Sequence, residues 1–158
     1  MNWQSDYNTK SNDPEVAVFA PILAIWYQQH QRDLPWRKTS NPYHIWLSEV
    51  ILQQTRVAQG LPYYLRFTET YPTLPELARA DERELLRLWQ GLGYYSRARN
   101  LHQTAKFIVS TLDGHFPVNY RDLLMLKGIG TYTAAAIASF AFGERVPVVD
   151  GNVYRVLA

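Results

Sequence analysis

Two carboxylates lie in segments of the sequence that could give them chemical roles. Asp150 follows the apolar run Val146–Val149 and stands at the start of a predicted helix, which places it at the edge of a buried surface. Glu49 lies on a predicted helix that has a broad apolar face. Its spacing alone leaves two interpretations open: a solvated helix residue paired with Gln53 or Arg56, or a catalytic acid.

A glycine hairpin, Gly128-Ile129-Gly130, precedes an alanine-rich segment that begins near Tyr132. Two glycines around one apolar residue allow a tight turn between helices, because glycine reaches positive φ without a Cβ clash. The helix after the turn adds unpaired N–H groups and a positive dipole end, so the hairpin could hold an anionic oxygen such as a DNA phosphate. A plain interhelical turn is the alternative. A dinucleotide-binding loop fits poorly, because Thr133 stands where that motif has its third glycine.

Composition indicates one soluble globular region. The chain has 158 residues, of which 47% are hydrophobic and 19% charged, with a net charge of +2. Residues 85–110 contain four cations, Arg87, Arg97, Arg99 and Lys106, and no carboxylate. Such a segment can form a patch for a phosphate backbone or a solvated helix face, and the sequence leaves both open.

The sequence offers no metal site and no membrane segment. It contains no cysteine, and its four histidines lack ligand spacing, so we predict that this chain binds no metal. No apolar run is long enough to cross a bilayer, and the N-terminus lacks the regions of a secretion signal. We therefore expect an intracellular, cytoplasmic protein with no membrane partner.

The residue pattern is helical nearly throughout, which predicts an all-α fold. Residues 1–12 are predicted to be a disordered or extended segment, and residues 13–158 to form the functional region. The first helix, opened by Asp13 and Pro14, carries Val16, Phe19, Leu23 and Trp26 on its apolar face. The other predicted helices run from Pro42 to about Gln59, then Tyr63–Thr70, Thr73–Ala80, a helix capped by Asp81, Arg97–Leu112, Tyr120–Leu126, Tyr132–Phe142, and from Asn152 onward.

Five ordered motifs together resemble the adenine DNA glycosylase branch, commonly called MutY, of the helix-hairpin-helix glycosylase superfamily. They are residues 34–37 (LPWR), 46–55 (WLSEVILQQT), 91–101 (GLGYYSRARNL), the hairpin of residues 128–130, and residues 149–153 (VDGNV). The resemblance extends from about Phe19 to the last residue. It implies a six-helix barrel core plus an N-terminal helix.

The resemblance also implies roles for the two carboxylates. Glu49 would be the general acid that protonates N7 of an extruded adenine, and partial burial between Trp46 and Leu52 would raise its proton affinity. Asp150 would stay ionised, favoured by its place at a helix start, and would stabilise the oxocarbenium-like sugar. Asn152 would orient the attacking water or the aspartate.

The remaining implied site residues contact the base or the duplex. Gln54 and Tyr94 would probe the side of the opposing base, with Tyr94 stacking into the duplex. The implied adenine pocket comprises Arg32, Trp36, Arg37 and Leu52, although Trp36 could equally be a core residue. The implied DNA-binding residues also include Thr55, Lys127, Gly128 and Gly130.

Tyr132 bears on the reaction class. Superfamily members that also cut the strand carry a lysine two residues after the second hairpin glycine, as the nucleophile for a Schiff base. This chain has Tyr132 there. The resemblance therefore implies a monofunctional enzyme acting on duplex DNA with adenine opposite 8-oxoguanine or guanine. The alternatives are an endonuclease III-type glycosylase/lyase and a non-catalytic helix-hairpin-helix module that only binds DNA.

The chain departs from the family pattern at its end. Family members continue into further helices, four cysteines that bind a [4Fe–4S] cluster, and usually a domain that helps to recognise 8-oxoguanine. Val153, Val156 and Leu157 begin an apolar helical face without an end signal. We therefore expect a partial chain, incomplete at the C-terminus, from a protein that is monomeric at full length. In the partial chain, Phe19, Leu23 and Trp26 should be exposed.

Overall fold

The computed structural model describes residues 14–157, with side chains from residue 18 onward, and all regular secondary structure in this range is helical. The helices are α1 (Pro14–His30), a 3₁₀ helix (Pro35–Arg37), α2 (Pro42–Leu52), α3 (Val57–Thr70), α4 (Leu74–Arg79), α5 (Glu82–Leu88), α6 (Ser96–Thr111), α7 (Tyr120–Leu123), α8 (Thr131–Phe142) and α9 (Gly151–Leu157). Residues 14–157 contain no strand, which confirms the predicted all-α fold. The segment predicted to be disordered or extended, residues 1–12, lies outside the described residues.

The chain divides into two compact units between Leu34 and Pro35. The first contains α1, on which Phe19, Leu23 and Trp26 are exposed, as expected. The second contains the other helices and every candidate site residue except Arg32.

The predicted helix from Pro42 to Gln59 is wrong in its second half. Helix α2 ends at Leu52, and Gln54 adopts φ +55°, which a right-handed helix cannot contain. Helix α3 then begins at Val57 rather than near Pro62, because the N–H groups of Gln59 and Gly60 already bond to the Arg56 carbonyl. Arg56 therefore precedes α3 and does not share a helix with Glu49.

Helix α2 is the centre of the core and packs mainly against α8. Its Leu47 and Ile51 are fully buried. The facing helix α8 buries Ala134 and Ala138, and such small side chains allow two helix axes to approach closely. This packing brings the end of α2 to the start of α8, where the Gln53 amide lies 3.4 Å from the Thr133 hydroxyl.

The segment between α8 and α9 is held in place at its start. Gly143 ends α8 in the left-handed conformation at φ +70°, a common helix stop. The Glu144 carboxylate then accepts a 2.6 Å hydrogen bond from the Tyr120 N–H, which ties the segment to α7. These contacts hold the start of the strandless connection that leads to Asp150.

Candidate active site

Glu49 lies in the last turn of α2 and is half-buried. One turn earlier, Trp46 is buried in the core. Burial raises the pKa of Glu49 to about 7, and the nearby charge of Asp150 adds to the rise, while a hydrogen bond from Tyr132 opposes it. The carboxyl group can therefore carry a proton near neutral pH, as general acid catalysis requires.

Asp150 stands directly before α9 and caps it. Its Oδ1 accepts 2.9 Å hydrogen bonds from the N–H groups of Val153 and Asn152, and its Oδ2 accepts a 2.8 Å bond from the Asn152 side-chain amide. The Val153 bond is the main cause that lowers the pKa of Asp150, and the Asn152 bonds add to it. Arg155 in turn donates to the Asn152 side-chain oxygen. Asp150 is thus held ionised in a fixed orientation.

Tyr132 interacts electrostatically with both carboxylates. Its side chain hydrogen-bonds Glu49, and its pKa is raised by burial and by the charges of both Glu49 and Asp150. The phenol therefore stays protonated and can donate to the Glu49 carboxylate. Three distant segments, α2, the start of α8 and the start of α9, bring these side chains within mutual electrostatic influence.

The residues predicted to line an adenine pocket occupy different surroundings. Trp36 packs against the core, and its ring lies edge-on to that of Tyr64 with the ring centroids 5.0 Å apart. These contacts are those expected if Trp36 is a core residue, the alternative that the sequence left open. Leu52 ends α2, is half-buried and points toward Gly60. Arg37 ends the 3₁₀ helix, and Arg32 belongs to the first unit. The pocket stays a prediction.

Gln54 and Tyr94, the predicted duplex probes, share an unusual backbone conformation. Both have positive φ, +55° for Gln54 and +46° for Tyr94, and both side chains are exposed. Non-glycine residues are rarely found there unless surrounding structure holds them. Thr55, next to Gln54, turns inward and donates to the Gln53 carbonyl at 3.2 Å.

The glycine hairpin is docked on α6. The Thr104 hydroxyl donates to the Lys127 carbonyl at 2.7 Å, and the Lys127 amine donates to the Gln103 side-chain oxygen at 2.6 Å. Gly128 has φ +76°, as the hairpin motif predicts, but Gly130 has φ −87° and simply precedes α8. The turn therefore uses the positive φ that glycine allows only at Gly128.

Gly128→Ala is expected to destabilise the protein by about 1–3 kcal/mol, because alanine is strained at positive φ. The added Cβ would also lie 2.8 Å from the Asn100 Cβ. Gly130→Ala is the matched control, because no atom lies within 4 Å of its added Cβ and its backbone suits any residue. Urea unfolding measures both changes, and equal stability of the two variants would contradict this account of the hairpin.

The segment predicted as a basic patch is only partly available to a ligand. Arg97 is half-buried and donates to backbone carbonyls rather than pointing to solvent. Arg99 lies 3.7 Å from the Glu82 carboxylate, with both side chains about half exposed. Arg97 therefore does not contribute to a basic surface patch, because the backbone carbonyls of two other segments use its hydrogen-bond donors.

The described residues carry neither a metal-binding cluster nor a membrane-spanning helix. Within residues 14–157, no three side chains of His, Asp or Glu are grouped so that they could hold a metal ion. None of the helices in that range is both long and apolar enough to span a bilayer.

Comparison with known families and proteins gives a consistent result. Residues 47–158 match the family model of the HhH-GPD superfamily of base excision DNA repair proteins. Adenine DNA glycosylases of Rattus norvegicus and Homo sapiens are 47% and 46% identical to this chain over 162 residues, and each comparison covers 97% of it. The chain spans 31% and 30% of the length of these two relatives.

Solved structures share the fold. A thermostable thymine-DNA glycosylase superposes with a TM-score of 0.82 at 30% identity, covering 89% of this chain and 65% of its own. Endonuclease III in a non-covalent DNA complex superposes with a TM-score of 0.74 at 24% identity, covering 89% of this chain and 66% of its own. The second likeness concerns the fold alone.

Proposed function

Because the chain belongs to the HhH-GPD superfamily of base excision DNA repair proteins, we propose that the protein is a monofunctional adenine DNA glycosylase. Its substrate is duplex DNA in which adenine lies opposite 8-oxoguanine or guanine, and the reaction is hydrolysis of the N-glycosidic bond. One observation carries the proposal: the charge of Asp150 acts on Glu49, and the two carboxyl groups have pKa values shifted in opposite directions. Two carboxylates with opposed proton affinities are what acid-assisted glycoside hydrolysis requires.

The proposed reaction assigns one role to each carboxyl group. Protonated Glu49 donates its proton to N7 of adenine, so that the base leaves as a neutral molecule with the bonding electrons. Ionised Asp150 stabilises the positive charge that develops on the sugar. Water then adds to C1′ and loses a proton, which leaves an abasic site. Asn152 positions the aspartate, which it contacts through both its backbone and its side-chain nitrogen.

Tyr132 supports hydrolysis without strand cleavage. A phenol can donate a hydrogen bond to Glu49 but cannot form a Schiff base with the opened sugar. Borohydride therefore should trap no covalent adduct with DNA, whereas a lyase would give one. Release of free adenine together with heat-labile abasic sites, and without direct strand breaks, tests the proposed reaction.

DNA contacts follow from the exposed groups around this site. Gln54 and Tyr94 enter the duplex on the side of the opposing base, while Lys127 and the backbone amides of Gly128 and Gly130 bind the phosphate backbone. The [4Fe–4S] cluster found in relatives is held by cysteine thiolates, and this chain has no cysteine. No residue of this chain would hold the cluster, and the proposed chemistry is not routed through it.

The excision rate is expected to fall as pH rises through about 7, the pKa of Glu49. Below that value the acid is protonated, and Asp150 stays ionised because its own pKa is lowered. Single-turnover rates of adenine release, measured between pH 5 and 9, give the profile. A rate that stays constant up to pH 9 would remove Glu49 from the role of general acid.

Tyr132→Phe is expected to move the alkaline limb of this profile to higher pH. The Tyr132 hydrogen bond favours the ionised form of Glu49, so its loss raises the pKa of the carboxyl group further. Tyr154→Phe is the control, because Tyr154 is an exposed phenol on α9. An unchanged or downward shift for Tyr132→Phe would show that the phenol does not donate to Glu49 during catalysis.

A further inference from the structure

We infer that Arg97 is a positioning residue that holds both duplex probes, Gln54 and Tyr94, without touching the DNA or the adenine. The inference rests on the proposed function and adds to it a residue that the sequence left open between a phosphate-binding patch and a solvated helix face. Its basis is a set of hydrogen bonds from one guanidinium group to two segments that are far apart in sequence.

The first set of hydrogen bonds satisfies carbonyl groups at the C-terminal end of α2. The last carbonyls of a helix have no N–H partner within it and need another donor. Nη1 of Arg97 donates to three carbonyls at this end: Val50 at 3.0 Å, Ile51 at 3.1 Å and Gln53 at 2.5 Å. A cation at a helix C-terminus also complements the helix dipole. Arg97 thus fixes the backbone immediately before Gln54.

The second set of hydrogen bonds holds the backbone of the loop that precedes α6. Nη2 of Arg97 donates to the Leu92 carbonyl at 3.0 Å and lies 3.4 Å from the Gly93 carbonyl. The guanidinium carbon lies 5.8 Å from the centroid of the Tyr94 ring and 5.1 Å from that of Trp89. Arg97 thus fixes the backbone immediately before Tyr94 and also contacts the Tyr94 ring, through a cation–π interaction.

The two residues that Arg97 holds both need support for their backbone conformation. Gln54 and Tyr94 both have positive φ and exposed side chains, so few contacts of their own maintain their conformation. Each directly follows a backbone segment that Arg97 binds. Lysine cannot make the same set of hydrogen bonds. Its single ammonium group lacks the planar guanidinium, whose two terminal nitrogens reach both sets of carbonyls. The geometry therefore couples the two probes through one side chain.

Arg97→Lys tests whether Arg97 couples Gln54 and Tyr94, because it keeps the positive charge and removes the guanidinium group. 2-Aminopurine placed beside the target adenine reports unstacking of the duplex by its fluorescence. We expect the variant to slow this signal by about tenfold, as for lost hydrogen bonds from a charged donor. Arg83→Lys, at an exposed position of α5, is the control and should behave as the parent protein. An unstacking rate in Arg97→Lys equal to that of the control would overturn the inference.

A second measurement separates positioning from a loss of folded protein. Adenine opposite an abasic site is easier to extrude than adenine in a base pair. The excision deficit of Arg97→Lys should therefore be about tenfold on the paired substrate and less than about threefold on the unpaired one. The ratio of the two rates does not depend on the fraction of protein that is folded. An equal deficit on both substrates would contradict a role through the probes.

The pH profile and a double variant complete the test. Arg97→Lys should leave the alkaline limb set by Glu49 unchanged. In a Tyr94→Ala background, Arg97→Lys should reduce the unstacking rate by a clearly smaller factor than it does alone, because the two residues act together. If the effects of the two substitutions on the unstacking rate were independent, the inferred coupling would be overturned. If the parent protein released no adenine, the proposed function would fail, but the unstacking signal requires no bond cleavage and would still test Arg97.

Discussion

Glu49→Gln is expected to reduce the rate of adenine release by about 10²–10⁴-fold, the usual contribution of a positioned general acid. Glutamine has nearly the same shape as glutamate but cannot transfer a proton to N7 of the leaving base. Single-turnover excision on a duplex with adenine opposite 8-oxoguanine, at saturating protein, measures the loss. Glu69→Gln is the matched control, because Glu69 is an exposed residue of α3, and it should retain the parent rate.

Loss of activity in Glu49→Gln should occur without loss of stability. The fold raises the pKa of Glu49, so the folded state disfavours its charged form. The stabilising contribution of this group is complete below its unfolded pKa and is lost as pH rises through about 7. Glutamine has no charge to bury, so the unfolding free energy of the variant at pH 8 should not fall below that of the parent.

DNA affinity separates the enzyme from a module that only binds DNA. Glu49→Gln removes a negative charge near the duplex, so its binding should be retained or slightly tighter. Retained binding with lost excision supports the enzyme. Unchanged excision would exclude Glu49 as the acid, and a parent protein that binds duplex DNA but releases no adenine would favour the binding module.

The local signals of the sequence predict where several helices begin. Asn41 followed by Pro42 opens α2 and Asp81 caps α5, in each case through a side-chain bond to backbone N–H groups two or three residues later. Such caps need only neighbouring residues. The end of α2 has no comparable local stop signal, because the group that satisfies its last carbonyls is Arg97, more than forty residues further along the chain.

The chemistry of the candidate site depends on contacts between distant residues. The spacing of Glu49 left it open between a solvated residue and a catalyst, since neither Tyr132 nor Asp150 is near it in sequence. Helix packing brings them together, and the pKa shift arises from burial first and from those two neighbours next. The capping role of Asp150 is easier to predict from the sequence, because its hydrogen bonds come from Asn152 and Val153, which lie only two and three residues further along the chain.

Asp150→Asn is expected to reduce excision by about 10²–10³-fold, the typical cost of removing one preorganised electrostatic contact to a developing charge. Asparagine caps helices as well as aspartate does, so the bonds from the N–H groups of Asn152 and Val153 can persist. The variant thus removes the charge and keeps the cap. Asp81→Asn is the matched control, because Asp81 also caps a helix through two backbone N–H groups and should be replaceable without loss of excision.

The residual activity of Asp150→Asn carries a second, independent signature. The negative charge of Asp150 raises the pKa of Glu49, so its removal should lower that pKa and move the alkaline limb of the pH profile to lower pH. Tyr132→Phe should move the same limb the opposite way, because the tyrosine lowers the pKa of the same group. Opposite shifts from these two substitutions require that both side chains act on one carboxyl group. Shifts in the same direction would mean that Glu49, Tyr132 and Asp150 do not form a single catalytic site.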